Sequence, residues 1–254
     1  MVMISLAIPT YNSSGFVLKS FEKVLDDPRI DEIILCDDAS EDFDALLELV
    51  CQLSSPKLKL FRNEKNLKAF RNKNKAVSHC QCDWVILLDS DNILDSLYID
   101  AWMKELPWDP QVLYLPDYAK PHFDYRFLAG QRLGIEDVIL LFSTEAPPLP
   151  NGIKGSLWGC LMNGGNYAFS RDEYLATHAK HSQIEFLISE SYGVDVWHFL
   201  VLWLKRGLTL KVVPNMSYEH TLRATAWSNS FLEEKHQAAN ILSEILWDDS
   251  FKIV

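Results

Sequence analysis

Asp89-Ser90-Asp91 sets two carboxylates two positions apart, directly after the apolar run Trp84 to Leu88. At a strand exit both can turn toward one hard, oxygen-liganded cation, Mg²⁺ or Mn²⁺, that also holds a diphosphate. The same residues would equally serve as a solvated turn or a helix N-cap. A second acidic group, Asp37-Asp38-Ala39-Ser40-Glu41-Asp42, follows the short apolar run Ile33 to Cys36. A carboxylate there can accept hydrogen bonds from a nucleobase imide or a ribose hydroxyl, and Pro9 and Tyr11 offer a flat apolar wall for a base to stack on. Farther along, Asp195 opens a helical pattern, and a helix N-terminus is a suitable platform for a carboxylate acting as a general base. A helix cap is its plain alternative, and Glu190 is the nearest competitor for the role.

These groups share one kind of position. The first half alternates short apolar runs with helical periodicity: strands at Ile4 to Ile8, Ile33 to Cys36, Leu58 to Phe61 and Trp84 to Leu88, and helices between them, the third over residues 67–81. That alternation predicts an α/β fold with a mostly parallel sheet flanked by helices. Open sheets of this kind bind ligands at the C-terminal ends of their strands, where strand order reverses. The loaded exits after the first, second and fourth strands therefore imply one shared site.

After about residue 105 prolines interrupt the pattern, and residues 143–156 read as an insert loop. Regularity returns with a strand at Trp158 to Met162, a helix from Arg171, a helix across Val194 to Lys205, a strand at Leu210 to Val213 and a last amphipathic helix from Phe231 to Trp247. The organisation expected is one domain over 1–220, with a regular half (1–105) and an irregular half (106–220), and a helical extension over 221–254 packed on it.

The chain has 254 residues and a formal net charge of −11, which discourages a nucleic-acid partner because phosphate-backbone affinity comes largely from Lys and Arg. The acid is not uniform. Residues 57–75 carry Lys57, Lys59, Arg62, Lys65, Lys68, Arg71, Lys73 and Lys75 against the single acid Glu64, a basic island suited to phosphate, to a solvated helix face or to anionic lipid. Five cysteines without CxxC spacing fit a reducing cytoplasm, and His79, Cys80 and Cys82 lack the second ligand pair of a zinc site. The N-terminus lacks the basic n-region and long apolar run of a secretory signal, and the longest apolar run is far short of a membrane span. Eight tryptophans are compatible with sugar stacking.

Pro9-Thr10-Tyr11-Asn12, Asp37-Asp38-x-Ser40-x-Asp42 and Asp89-Ser90-Asp91, each after a strand, resemble the family 2 glycosyltransferases of the GT-A fold. The resemblance covers the first ~105 residues and extends more weakly to about residue 220. It implies a nucleotide-diphospho-sugar donor, UDP-sugar favoured over GDP-sugar, a divalent metal (Mn²⁺ or Mg²⁺), and inverting transfer to a glycan or lipid-linked acceptor, in the cytoplasm or at the inner face of a membrane. By position it implies that Asp38 contacts the base, flanked by Pro9 and Tyr11, that Asp89 meets the ribose or a metal-bound water, and that Asp91 ligates the metal. It makes Asp195 the catalytic base and His220, in Ser217-Tyr218-Glu219-His220, a further metal ligand; an imidazole among carboxylates favours Mn²⁺.

Asn66 and Ala69-Phe70-Arg71-Asn72 match another family segment, with Arg71 near the diphosphate, although the stretch between Asn66 and Arg71 is shorter than usual and lacks the family's glycines. Gly164 and Gly165, in Met162-Asn163-Gly164-Gly165-Asn166, match the loop beside donor sugar and acceptor, where small residues permit close backbone approach. Two other readings stand beside this one. The first is a nucleotide-sugar or glycan-binding domain without catalysis. The second, more distant, is a sugar-phosphate nucleotidyltransferase, which would show a Gly-rich basic loop after the first strand, where this chain has Pro-Thr-Tyr-Asn.

Overall fold

The computed structural model describes residues 2–142, 166–183, 195–221 and 232–248. Its first half runs β1 (Ile4–Thr10), α1 (Val17–Phe21), β2 (Ile30–Asp37), α2 (Phe43–Leu53), β3 (Leu58–Arg62), α3 (Lys68–Ser78), β4 (Trp84–Leu87) and α4 (Ser96–Met103). The second half follows with β5 (Val112–Lys120), β6 (Phe123–Asp124), β7 (Arg132–Leu133), α5 (Ile135–Phe142), β8 (Ala168–Ser170), α6 (Arg171–His178), α7 (Asp195–Lys205), β9 (Thr209–Glu219) and α8 (Leu232–Trp247).

One mixed sheet carries the order β3-β2-β1-β4-β8-β5-β9-β7, with β6 paired to β5. The β3-β2-β1-β4 half is parallel throughout, and β1, β2 and β4 are buried along most of their length on both faces, while the edge strand β3 is partly exposed. After β1, β2 and β3 step to one side, β4 returns to the other side of β1, so the crevice between the ends of β1 and β4 is the switch point. The expectation of a mostly parallel sheet holds for this half. Beyond it β8 runs antiparallel between β4 and β5, and the short β7 is antiparallel to β9.

The irregular stretch after residue 105 contains a nine-residue strand, β5, that proline content hides. Pro116 sits at a register shift against β9, where a missing N–H costs no ladder bond. The expected strand at Trp158 to Met162 and the insert loop at 143–156 lie outside the described residues, and so do Gly164, Gly165 and Glu190.

The core is continuous from β1 to α8, whose Leu242, Ile245 and Leu246 are buried in it. Tryptophan supplies framework here: Trp102 and Trp108 stack at 3.8 Å, Trp84 meets Trp108 edge-on, and Trp108 Nε1 donates to the Trp102 carbonyl at 2.9 Å. Trp203 is also fully buried. Trp102, Trp108 and Trp203 are closed to a sugar, and Trp84 is partly buried against them. We expect Trp102→Ala to lower unfolding free energy by about 3–5 kcal/mol, measured by urea titration, since it opens a cavity and removes the stacking partner of Trp108.

Candidate active site

Helix α3 organises the strand exits. Asp38, at the end of β2, is buried, and its Oδ1 accepts from Asn63 Nδ2 (2.9 Å) and Leu67 N (2.7 Å) while Oδ2 accepts from Lys68 N (2.9 Å). A carboxylate thus caps the free N–H groups at the start of α3, where the helix dipole favours negative charge. About three of its four acceptor positions are filled by protein. Burial raises the Asp38 carboxyl above its usual range, against these hydrogen bonds.

Asn72 continues the lock. Its amide donates to the carbonyls of Cys36 (3.1 Å) and Thr10 (3.4 Å) and accepts from Asn63, so one buried network ties α3 to the ends of both β1 and β2. The loop after β1 is stitched to the loop after β2 as well: Asn12 N donates to Ser40 Oγ, Glu41 N to Asn12 Oδ1, and Ser14 N to Asp42 Oδ2. Asn12 and Ala39 take positive φ to make these turns. Tyr11 is left 44% exposed on the rim beside the half-buried Pro9. Thr10 Oγ1, Ser13 Oγ, Asp37 Oδ1 and Asp42 Oδ1 are buried here without a hydrogen-bond partner. Polar atoms left so are the kind a polar ligand satisfies.

The residue after Asn72 carries the second connection. Lys73 Nζ lies 2.6 Å from Asp195 Oδ2 and 3.0 Å from Asp89 Oδ1, with all three side chains largely buried or half-buried. Burial opposes the ammonium charge, but Asp195 and Asp89 outweigh it and hold Lys73 well above the usual lysine range. Burial pushes the Asp89 carboxyl up to about 6, against Lys73 and with the repulsion of Asp91 and Asp195. Phe70, Leu87, Tyr167, Tyr174, Val196 and Phe199 wall the pocket beside the ion pair. Asn166 secures the same strand exit, accepting from Asp89 N at 2.7 Å.

Asp91 faces the end of β9. Ile93 and Glu219 exchange backbone hydrogen bonds at 2.9 and 3.0 Å, and Thr221 N donates to Asn92 Oδ1, which brings His220 into the electrostatic field of Asp91. His220 Nδ1 is 3.0 Å from His122 Nδ1, and burial brings His220 down to about 4. A neutral imidazole and a carboxylate form a donor pair that fits Mn²⁺. Among the described residues no cluster of three or more His, Cys, Asp or Glu forms a metal cage, so phosphate oxygens would have to complete the coordination.

The basic island divides. Lys57 Nζ donates to the Asp27 carbonyl, Lys59 pairs with buried Glu32 at 2.6 Å, and Arg62 lies over the Phe43 ring and donates to the Ser40 carbonyl. Lys65, Lys68 and Arg71 are exposed around the start of α3, next to the site.

Sequence reasoning missed Asn63, Lys73 and His122, and it found no context for the remaining histidines. His178 and His198 stack on opposite sides of a network centred on Phe70, at 4.4 and 4.1 Å, and His181 Nδ1 is 3.0 Å from His198 Nε2. The available signal was spacing: Phe70 lies three residues before Lys73 and His198 three after Asp195, so the ring cluster sits one helical turn behind the ion pair.

Burial, then the nearby His181, lowers His178 to about 4 and His198 to about 3, with Arg71 adding to the effect on His178. The unfolded chain protonates both rings near pH 6.5 while the folded protein does not, so their contribution is complete above that pH and is lost as pH falls toward 4. We expect roughly 1 kcal/mol of lost stability per ring for each pH unit over that window. Melting temperatures from pH 7 to 4.5 should fall less steeply for His198→Leu than for the native chain.

Comparison with known proteins agrees with this fold. The computed structure superposes on glucosyl-3-phosphoglycerate synthase from Mycobacterium tuberculosis, solved with Mn²⁺, UDP and phosphoglyceric acid, with a TM-score of 0.60 at 18% identity, covering 97% of this chain and 79% of that one. In sequence it is 24% identical over 144 residues to glycosyltransferase GlyG of Streptococcus pneumoniae serotype 4 (54% of this chain, 48% of the relative). It is 29% identical over 109 residues to chondroitin synthase of Escherichia coli (41% of this chain, 16% of the relative). The chain therefore spans about half or less of the length of these curated relatives. The model of glycosyl transferase family 2 matches residues 5–149, more than half of the chain and all four parallel strands with their exits, and this chain belongs to that family.

Proposed function

We propose that this protein transfers a sugar from a nucleoside-diphospho-sugar, with a UDP-sugar as the first candidate, to a hydroxyl of a glycan or lipid-linked saccharide, with inversion at the anomeric carbon. One observation carries the reading: the folded chain sets the carboxylate of Asp195, at the first residue of α7, beside the Asp89-Ser90-Asp91 exit of β4. A base next to a donor-binding exit is the arrangement single displacement requires.

In this mechanism Asp195 takes the proton of the acceptor hydroxyl as its oxygen bonds to the anomeric carbon. The bond from that carbon to the diphosphate oxygen breaks on the opposite face. Tyr11 and Pro9 bracket the base, beside the loops where Thr10, Ser13, Asp37 and Asp42 keep buried polar atoms without a hydrogen-bond partner. Asp38 acts on the base side mainly through the loop it caps, Asp89 meets the ribose, and Lys68 and Arg71 attract the diphosphate. Asp91 and His220 would hold Mn²⁺ or Mg²⁺, which when bound supplies charge neutralisation for the departing diphosphate. The M. tuberculosis complex with UDP and Mn²⁺ supports the choice of both ligands. Among the described residues no helix is long and apolar enough to cross a membrane.

A panel of nucleotide-sugars assayed for nucleoside diphosphate release, with and without Mn²⁺, tests the assignment. Asp195→Asn should lower kcat by about 10²–10⁴-fold while calorimetric affinity for the nucleoside diphosphate is retained. Asp91→Ala should abolish the metal-stimulated turnover. Native rates in either variant would refute the corresponding role, and binding of a donor without turnover by the native chain would favour a binding domain.

A further inference from the structure

The proposed chemistry uses two carboxylates that the fold places side by side, yet like charges in a half-buried site repel and would drive each other toward protonation or apart. The protein answers this with Lys73, whose side chain is 11% exposed. Two of the three N–H donors of an ammonium suffice for its contacts to Asp195 Oδ2 and Asp89 Oδ1. Its helix has little freedom to drift. The preceding residue, Asn72, is bound to the β1 and β2 exits, the start of α3 is capped by Asp38, and Phe70, one turn earlier, is held between His178 and His198. Asp195, by contrast, is the first described residue of its helix, and its carboxylate is held by Lys73 at 2.6 Å.

We propose that Lys73 is a positioning residue that aims the carboxylate of Asp195 at the acceptor and ties it to the donor end of the site through Asp89. This rests on Asp195 being the base. A stem fixed on α3 then dictates where the base stands relative to β4. Lys73 touches neither the reacting carbon nor the transferred proton.

The distinguishing feature is a kcat effect that runs through Asp195. With a donor identified, Lys73→Met should lower kcat by about 10²-fold, the size expected when a catalytic group is displaced by an ångström, with donor KM and nucleoside diphosphate affinity changed by no more than about threefold. Lys73→Arg, whose planar fork can still bridge two carboxylates, should recover to within about tenfold of the native rate. In the Asp195→Asn background, Lys73→Met should produce no further loss, because its route of action is already gone.

An unchanged kcat in Lys73→Met, an equal loss in donor affinity, or full additivity with Asp195→Asn would each overturn the proposal. Should Lys73→Met fail to fold by circular dichroism, Lys73→Gln, which keeps a donor on a shorter stem, is read by the same criteria. A native rate in Asp195→Asn would instead refute the base assignment, so the two failures are separable.

Discussion

A lysine shared between two carboxylates holds the centre of this molecule together. Lys73 joins α3, β4 and α7, three elements distant in sequence, at a single ammonium. Removing that cation would leave Asp89 and Asp195 as like charges in a site of reduced dielectric, where repulsion is poorly screened. The site's geometry therefore depends on electrostatic neutralisation as much as on packing. The aromatic walls of Tyr167, Tyr174 and Phe199 strengthen the dependence, because they keep water from doing the same job.

The remaining organisation follows from keeping α3 still. Its N-terminus is capped by Asp38, its middle is tied to the β1 and β2 exits through Asn72, and its apolar face packs Phe70 among histidines that must stay neutral. Within four residues of one helix, Phe70, Asn72 and Lys73 thus serve three different neighbours, as the 100° step of a helix permits. Nucleotide-facing loops and proposed base are parts of one rigid frame, and acid that charges the histidines would load strain on that frame close to the ion pair.

Charge layout gains meaning in the same way. The net −11 is spread over a chain whose basic island is split between structural ties, such as Lys59 to Glu32, and exposed cations at the start of α3. Acidic exits need a counter-charge to hold a diphosphate, and the exposed Lys65, Lys68 and Arg71 at the start of α3 offer one, while Lys73 is taken up internally by Asp89 and Asp195.

Local pattern was enough for the parallel half. Apolar runs of four to eight residues broken by Pro9, Asp37 and Asp89 declare β1, β2 and β4 and put chemical groups at their ends, because strand period and strand exit are both short-range properties. The same logic located Asp195 at a helix start. It failed at β5, where prolines mask a strand that is stable only because β8 and β9 flank it, and at Lys73, which in sequence is one of eight cations in a basic run. Nothing local separates a lysine that will be solvated from one that will be buried between two acids. That distinction arises when Asp89 and Asp195, 16 and 122 residues away from Lys73, close on it, since burial and ion pairing are properties of the assembled neighbourhood. The sequence by itself determined the family, the sheet exits and the types of groups gathered there; the tertiary structure decided which of those groups face one another and which cation holds them.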